Sequence, residues 1–253
     1  TANTLKGIWF YRSSNNSISE NYIGNHRWDW GIWLGRSDNN KISRNSIINN
    51  GIGVMFDWSY YNTVSENNLS NNQEGILLYS SSDNTFSENN ITNNYYFGIK
   101  LGTHPPSPAV SNNTFYHNNI MHNTYYQVEP AWCYNNTWDD GYPSGGNYWG
   151  DYYNVDEYHG QNQDIPGSDG IGDTPYVIDE QNQDRYPLME PWKKVSGKLE
   201  ILEPANGSTI AGLVAITFTI ENAGDLIEFL QGDPSNRVDL EIEYRSTDGE
   251  TSG

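Results

Sequence analysis

With 35% hydrophobic residues among 253 and a net charge of −19, the chain has too little apolar material for one thick core. Its acidity disfavours nucleic acid and anionic membrane surfaces as partners, and no run of ~18 apolar residues exists to cross a membrane as a helix. Cys133 is the one cysteine, which excludes an intramolecular disulfide. No secretory signal opens the chain; it starts inside a repeat pattern, so an N-terminal portion is expected to lie outside it.

From the N-terminus to about residue 140 the same motif returns, G-[IV]-x-[FL] followed by N-x-[IVF] and N-x-[IL]. Asn16, Asn40, Asn62, Asn84, Asn113 and Asn136 mark the period, at intervals of 24, 22, 22, 29 and 23 residues. A second column, Asn21, Asn45, Asn67, Asn89 and Asn118, follows five residues behind the first. Gly7, Gly31, Gly53 and Gly75 stand nine residues before it, and Gly98 takes that place in the fifth repeat. A fixed period of this length is the signature of a solenoid. Apolar residues at spacing two, in short runs between Gly, Asn and Ser, predict three brief strands and three tight turns per coil, with no helical periodicity. The predicted fold is an all-β, right-handed parallel β-helix over 1–140, with asparagine ladders satisfying the buried turn amides. The long interval holds Thr103–Pro108, whose prolines cannot join a sheet ladder and predict an extruded loop.

Within the first strand of each coil, Ile8, Ile32, Val54, Ile76 and Ile99 form one inward column and Phe10, Leu34, Phe56, Leu78 and Leu101 another. Between them an outward column runs through Trp9, Trp33, Met55, Leu77 and Lys100, flanked by Tyr11, Arg12, Arg36, Asp57, Trp58 and Tyr79. Exposed aromatics with a few charged groups suit sugar rings and hydroxyls, or the packing of a neighbouring subunit. Glu20, Arg44, Glu66, Glu88 and His117 share one turn position; this row is a solvated charge stripe or the carboxylates of a glycosidase. His117, Met121 and His122 are the candidate ligands for a soft metal such as copper, and Cys133 is read as a small buried residue. Asn15, Asn68, Asn90, Asn112, Asn135 and Asn206 head Asn-x-Ser/Thr sequons, the candidate glycosylation sites of an extracellular glycoprotein.

Residues 141–192 lose the period and become dense in Gly, Tyr and Asp, as expected for a cap closing the open end of the coil stack. Asp164, Asp169, Asp173 and Asp184 are candidate ligands there for calcium, which wants six to eight oxygens; the alternative is turn aspartates bonded to their own backbone. The SxNNxISxNxI coil, with Asn147-Tyr-Trp-Gly-Asp-Tyr152, Asp169-Gly-Ile-Gly-Asp-Thr-Pro-Tyr176 and Asp184-Arg-Tyr-Pro-Leu-Met189, resembles the NosD-like right-handed parallel β-helix repeats of archaeal cell-surface proteins. The resemblance spans about residues 5 to 190. It implies an extracellular, capped β-helix, and a family that ranges from a maturation factor of copper enzymes through surface-layer components to relatives of carbohydrate-processing enzymes.

After Trp192 the composition shifts. Leu199–Ile210 and Val214–Ile220 alternate like two strands around a turn, and Val238–Tyr244 like a third. Glu203-Pro-Ala-Asn-Gly-Ser-Thr-Ile-Ala-Gly212 resembles the opening of Ig-like sandwich modules, so 197–253 is expected to be an incomplete module of that kind, cut short or completed by a neighbouring molecule in a homo-oligomer or filament. Taken together these features predict a structural or adhesive surface protein that contacts surface glycans or neighbouring envelope subunits. Its alternatives are a polysaccharide-acting enzyme (lyase, hydrolase or epimerase) and a copper-handling maturation factor.

Overall fold

Parallel pairing between residues one repeat apart organises the chain from Ile8 to Trp149. The computed structural model describes residues 7–102 and 108–193, together with the strands Leu199–Glu203 and Thr217–Ile220. Three sheets run along the stack. The first holds Ile8–Tyr11, Trp30–Gly35, Ile52–Asp57, Glu74–Tyr79, Phe97–Gly102 and Tyr126–Ala131 in that order. The second holds Ser17–Ser19, Lys41–Ser43, Thr63–Ser65, Thr85–Ser87 and Thr114–Tyr116, and the third runs from Tyr22–Gly24 to Tyr148–Trp149. The register is the one the period demands: Ile8 pairs with Ile32, Ile32 with Val54, Val54 with Ile76 and Ile76 with Ile99. This is a parallel β-solenoid, and its stacking continues past residue 140 to Trp149. Of the expected loop 103–108, residues 103–107 lie outside the described residues.

The predicted inward columns form the core. Ile32, Val54, Ile76, Ile99, Leu34, Phe56, Leu78 and Leu101 have no exposed surface, each burial favouring the fold by about 1.5–3 kcal/mol. Phe86, Phe115 and Trp138 stack on one another with ring centroids 4.7 and 4.3 Å apart, and Phe56 meets Phe86 edge-on at 5.5 Å. Four turn positions in each of the first four coils adopt left-handed backbone, among them Glu20, Arg44, Glu66 and Glu88 in one column that His117 continues. Asn tolerates this conformation better than most residues, and Asn25, Asn49, Asn71 and Asn93 occupy another of the four columns.

Asparagine ladders bind coil to coil, as expected, but there are three. In the first, Asn40 Oδ1 accepts from Asn16 N at 2.9 Å, and the pattern repeats through Asn62, Asn84, Asn113 and Asn136. The second runs from Asn21 through Asn118 to Asn147, which the sequence reading did not include. The third, unanticipated, begins at the backbone of His26 and climbs through Asn50, Asn72, Asn94 and Asn123. A shorter row of hydroxyls on Ser37, Ser59 and Ser81 does the same work beside the first sheet. The repeated glycines have a close-approach role: a Cβ on Gly75 would lie 2.5 Å from Gly98 O and 2.9 Å from Asn94 Nδ2. Gly75→Ala should therefore lower stability by about 1–3 kcal/mol, read as a lower urea midpoint with an unchanged slope.

The cap folds over the last coil. Trp149 stacks on Tyr176 at 4.1 Å and packs against Trp138, while Ile171 and Tyr186 are buried beneath the returning chain. Arg185 holds the buried Asp139 through bonds of 2.9 and 2.6 Å. Residues 195–253 form a second unit, in which Leu199–Glu203 and Thr217–Ile220 pair antiparallel with Leu199 opposite Ile220, as their alternation predicts. The third expected strand and the rest of the expected Ig-like module lie outside the described residues.

Candidate functional site

The outward column is in register as read, with Trp9 beside Trp33, Trp33 beside Met55 and Leu77 beside Lys100. One member requires correction. Trp33 was expected to be an exposed platform, yet only 9% of its surface is accessible. Tyr11 stacks on it at 6.2 Å and 8°, Trp30 at 5.9 Å, Trp9 meets it edge-on at 5.1 Å, and its ring lies across Gly35. Three aromatic neighbours and a glycine hide both faces, so Trp33 anchors the cluster rather than offering a ring. Trp9 and Tyr11 remain half-exposed, Arg12 and Arg36 are exposed, and Trp58 and Tyr79 show about a third of their surface. Burial raises the Asp57 carboxyl, partly offset by Arg36.

The turn row of carboxylates is assembled with a cation in its middle. Arg44 reaches Glu20 at 2.9 Å and Glu66 at 3.9 Å. His117 is withdrawn from that row: Trp192 stacks on its ring at 3.6 Å and 5°, and its Nε2 meets Ser144 O at 2.7 Å. Burial lowers its pKa, against the Ser144 contact and the charges of Asp140 and Glu88. This geometry does not fit a copper centre built on His117, Met121 and His122. Cys133 is half-buried, and burial followed by the charge of Asp179 pushes its thiol up to about 11. Among the described residues no group of three or more His, Cys, Asp or Glu converges as metal ligands do.

The four cap aspartates are likewise not gathered at one point. Asp164 is exposed. Asp169 accepts from Ile171 N and Gln163 Nε2, and Asp173 from the backbone of Glu157 and Tyr158. Burial raises the Asp169 carboxyl against those bonds. Asp184, fully buried, ends the second ladder: its Oδ2 accepts from Asn147 N at 2.6 Å and Trp149 Nε1 at 2.8 Å, and its Oδ1 from Tyr186 N at 3.0 Å. Asp169 and Asp184 each accept from the amide two residues on, as turn aspartates do, whereas Asp173 binds distant backbone and Asp184 binds Asn147 as well. Of the sequon asparagines, Asn15, Asn68, Asn90, Asn112 and Asn135 are exposed, whereas the ladder asparagines beside the last four, Asn67, Asn89, Asn113 and Asn136, are buried; Asn206 lies outside the described residues.

One concave surface was not anticipated. It is a groove of about 740 Å³ along the turns that follow the third sheet. Trp28, 81% exposed, stands at one end, and Tyr95 and Tyr96 at the other. Asn25, Asn49 and Asn71, equivalent left-handed turn residues of successive coils, supply the amides between them. The Trp28 loop is held in place: Asp29 N and Gly51 N both donate to His26 O at 2.9 Å, Trp30 N to Asp29 Oδ1, and Gln73 Nε2 to Arg27 O at 3.3 Å. Tyr95 is edge-on to Tyr96 at 4.8 Å, and Tyr125 extends the wall. None of the lining residues is a carboxylate; the single charge is Arg27, which lies over the Trp28 ring at 5.4 Å. The signal for this site was present in the sequence as aromatics just beyond the third turn of a coil, at Trp28, Tyr95 and Tyr125, but it recurs only in the coils with enlarged turns.

No curated protein and no solved structure matches the chain. Residues 1–154 match the family described as periplasmic copper-binding protein NosD, which covers the coil stack from its first strand to Trp149 and just beyond. The parallel solenoid and this match together place the chain in the NosD family.

Proposed function

We propose that this chain is a non-cytoplasmic, envelope-associated β-helix that binds saccharide without cleaving it. The observation that carries the reading is the groove between Trp28 and Tyr95/Tyr96, where aromatic faces meet a row of amides on a rigid scaffold. Aromatic rings pack against the apolar faces of sugars, and side-chain amides donate to and accept from hydroxyls. Glycoside hydrolysis asks for two carboxyl groups flanking the bond, and the lining supplies none. The envelope location rests on the family, whose description is periplasmic, and agrees with five exposed sequons. Copper does not enter this reading, because the described His and Cys side chains are stacked, half-buried or dispersed. The half-exposed Trp9 and Tyr11 give a second face for an envelope neighbour.

Binding of the purified chain to immobilised polysaccharides tests the proposal. Retention should fall about tenfold in Trp28→Ala and stay unchanged in Trp9→Ala, with matched melting curves. Equal loss in both variants, or no retention by the native chain, would overturn it.

A further inference from the structure

The saccharide reading leaves open which polymer the groove takes and how it lies, and the geometry points to a neutral, linear oligosaccharide running parallel to the solenoid axis. This deepens the proposed function and rests on it.

Direction follows from the coil stack. Asn25, Asn49 and Asn71 are one residue of the repeat seen three times, each at positive φ (69, 59 and 57°), so their side chains are spaced by one coil each along the axis. Neighbouring coils lie ~4.8 Å apart, which puts Asn25 and Asn71 two steps, roughly 10 Å, from end to end. An extended pyranose chain advances by a similar step per sugar. A ligand along the axis therefore offers successive sugars to successive asparagines, while one lying across the coils meets a single rung.

Charge sets the class. The floor amides and the phenols of Tyr95 and Tyr96 are neutral donors and acceptors, matched to hydroxyls. The one cation, Arg27, is engaged with the Trp28 ring. A polyanion would find no row of cations to pair with its carboxylates and would approach a chain of net charge −19. Length is set by the row of amides: Asn25, Asn49 and Asn71 give three rungs, and the Tyr95, Tyr96 and Tyr125 cluster begins one coil beyond the last of them.

The test is a titration followed by tryptophan fluorescence, with neutral hexose oligomers from monomer to hexamer and uronic-acid oligomers of the same lengths. Affinity for the neutral series should rise up to about the trimer and then level off, and uronic acids should bind at least about tenfold more weakly. Asn49→Gly and Asn71→Gly, which remove the amide and keep the left-handed backbone without strain, should each weaken the trimer and leave the monomer unchanged, with closely matched melting curves. A uronic-acid preference, or an affinity that does not depend on length, overturns this inference and leaves saccharide binding intact. Absence of binding to both series overturns the functional reading as well. Neutral binding undiminished in both Trp28→Ala and Tyr96→Ala places the sugar elsewhere and overturns the groove.

Discussion

Asp184→Ala should destabilise the solenoid by about 3–5 kcal/mol, a drop in melting temperature of roughly 6–20 °C. The second asparagine ladder passes an acceptor from each coil to the amide of the coil before it, and at Asn147 the repeat has no further asparagine to give. The chain returns 37 residues later to place the Asp184 carboxylate there instead. Truncation leaves Asn147 N, Trp149 Nε1 and Tyr186 N buried without an acceptor, each costing about 1–3 kcal/mol before relaxation. Gly146 belongs to the same arrangement, since a Cβ there would lie 1.9 Å from Asp184 Oδ1.

The same carboxyl gives the stability a pH dependence of definite sign. Burial pushes its pKa up to about 7, against the pull of three N–H donors, from an ordinary value of 3.8. Between those two values the folded chain holds a proton that the unfolded chain has released. The favourable contribution is full below about 3.8, falls by about 1.4 kcal/mol per pH unit and is gone above about 7. Asp139 works in the opposite sense: burial raises its pKa, but the bonds from Arg185 prevail and hold it down, so its contribution is lost on acidification. The Asp184 slope is therefore best isolated as the difference between the native chain and Asp184→Asn, followed by thermal melts from pH 4 to pH 8. Asp184→Asn keeps an acceptor for Asn147 and Trp149 and turns an N–H group toward Tyr186 N, so it should fall between the native chain and Asp184→Ala. Parallel pH profiles for the two proteins would remove Asp184 as the titrating group.

Asn67→Ala should cost about 3–5 kcal/mol, and Asn68→Ala, one residue away, less than about 0.5. Asn67 is 1% exposed, and its side chain makes five bonds. Its Oδ1 accepts from Asn45 N and Nδ2 at 2.9 and 3.0 Å, and its Nδ2 reaches Ile42 O, Ser65 O and Asn89 Oδ1 at 2.9–3.0 Å. Removing it leaves polar groups of three coils buried and unmatched in the middle of the stack. Asn67→Asp should be no better, because its second oxygen faces carbonyl oxygens where a donor stood. Asn68 points to solvent from the start of its strand. Urea unfolding of both variants checks the contrast, and equal midpoints would contradict the ladder as the element that joins the coils.

Much of this protein was legible in its sequence because a solenoid makes neighbours out of residues one period apart. The interval of 22 placed Asn62 on Asn84, aligned Val54 with Ile76, and separated inward from outward residues before any coordinates. The third ladder obeyed the same rule and was still missed. Asn50, Asn72 and Asn94 each follow another asparagine, and only the fold shows which of the two is buried.

Where the period lapses, the sequence was silent or misleading. Trp33 carries the outward parity of its strand, but its burial depends on Tyr11, Trp30 and Trp9 closing over it. The pairing of Asp184 with Asn147 and the stacking of Trp192 on His117 join segments with no fixed spacing. The groove arises because the Trp28 and Tyr95 turns project while the shorter turns between them do not. Local pattern and period set the strands, the register and the core. Contacts between irregular turns and the cap decided which aromatics stay exposed, which acid is buried and where a ligand has room, because those outcomes depend on distances that no repeat length encodes.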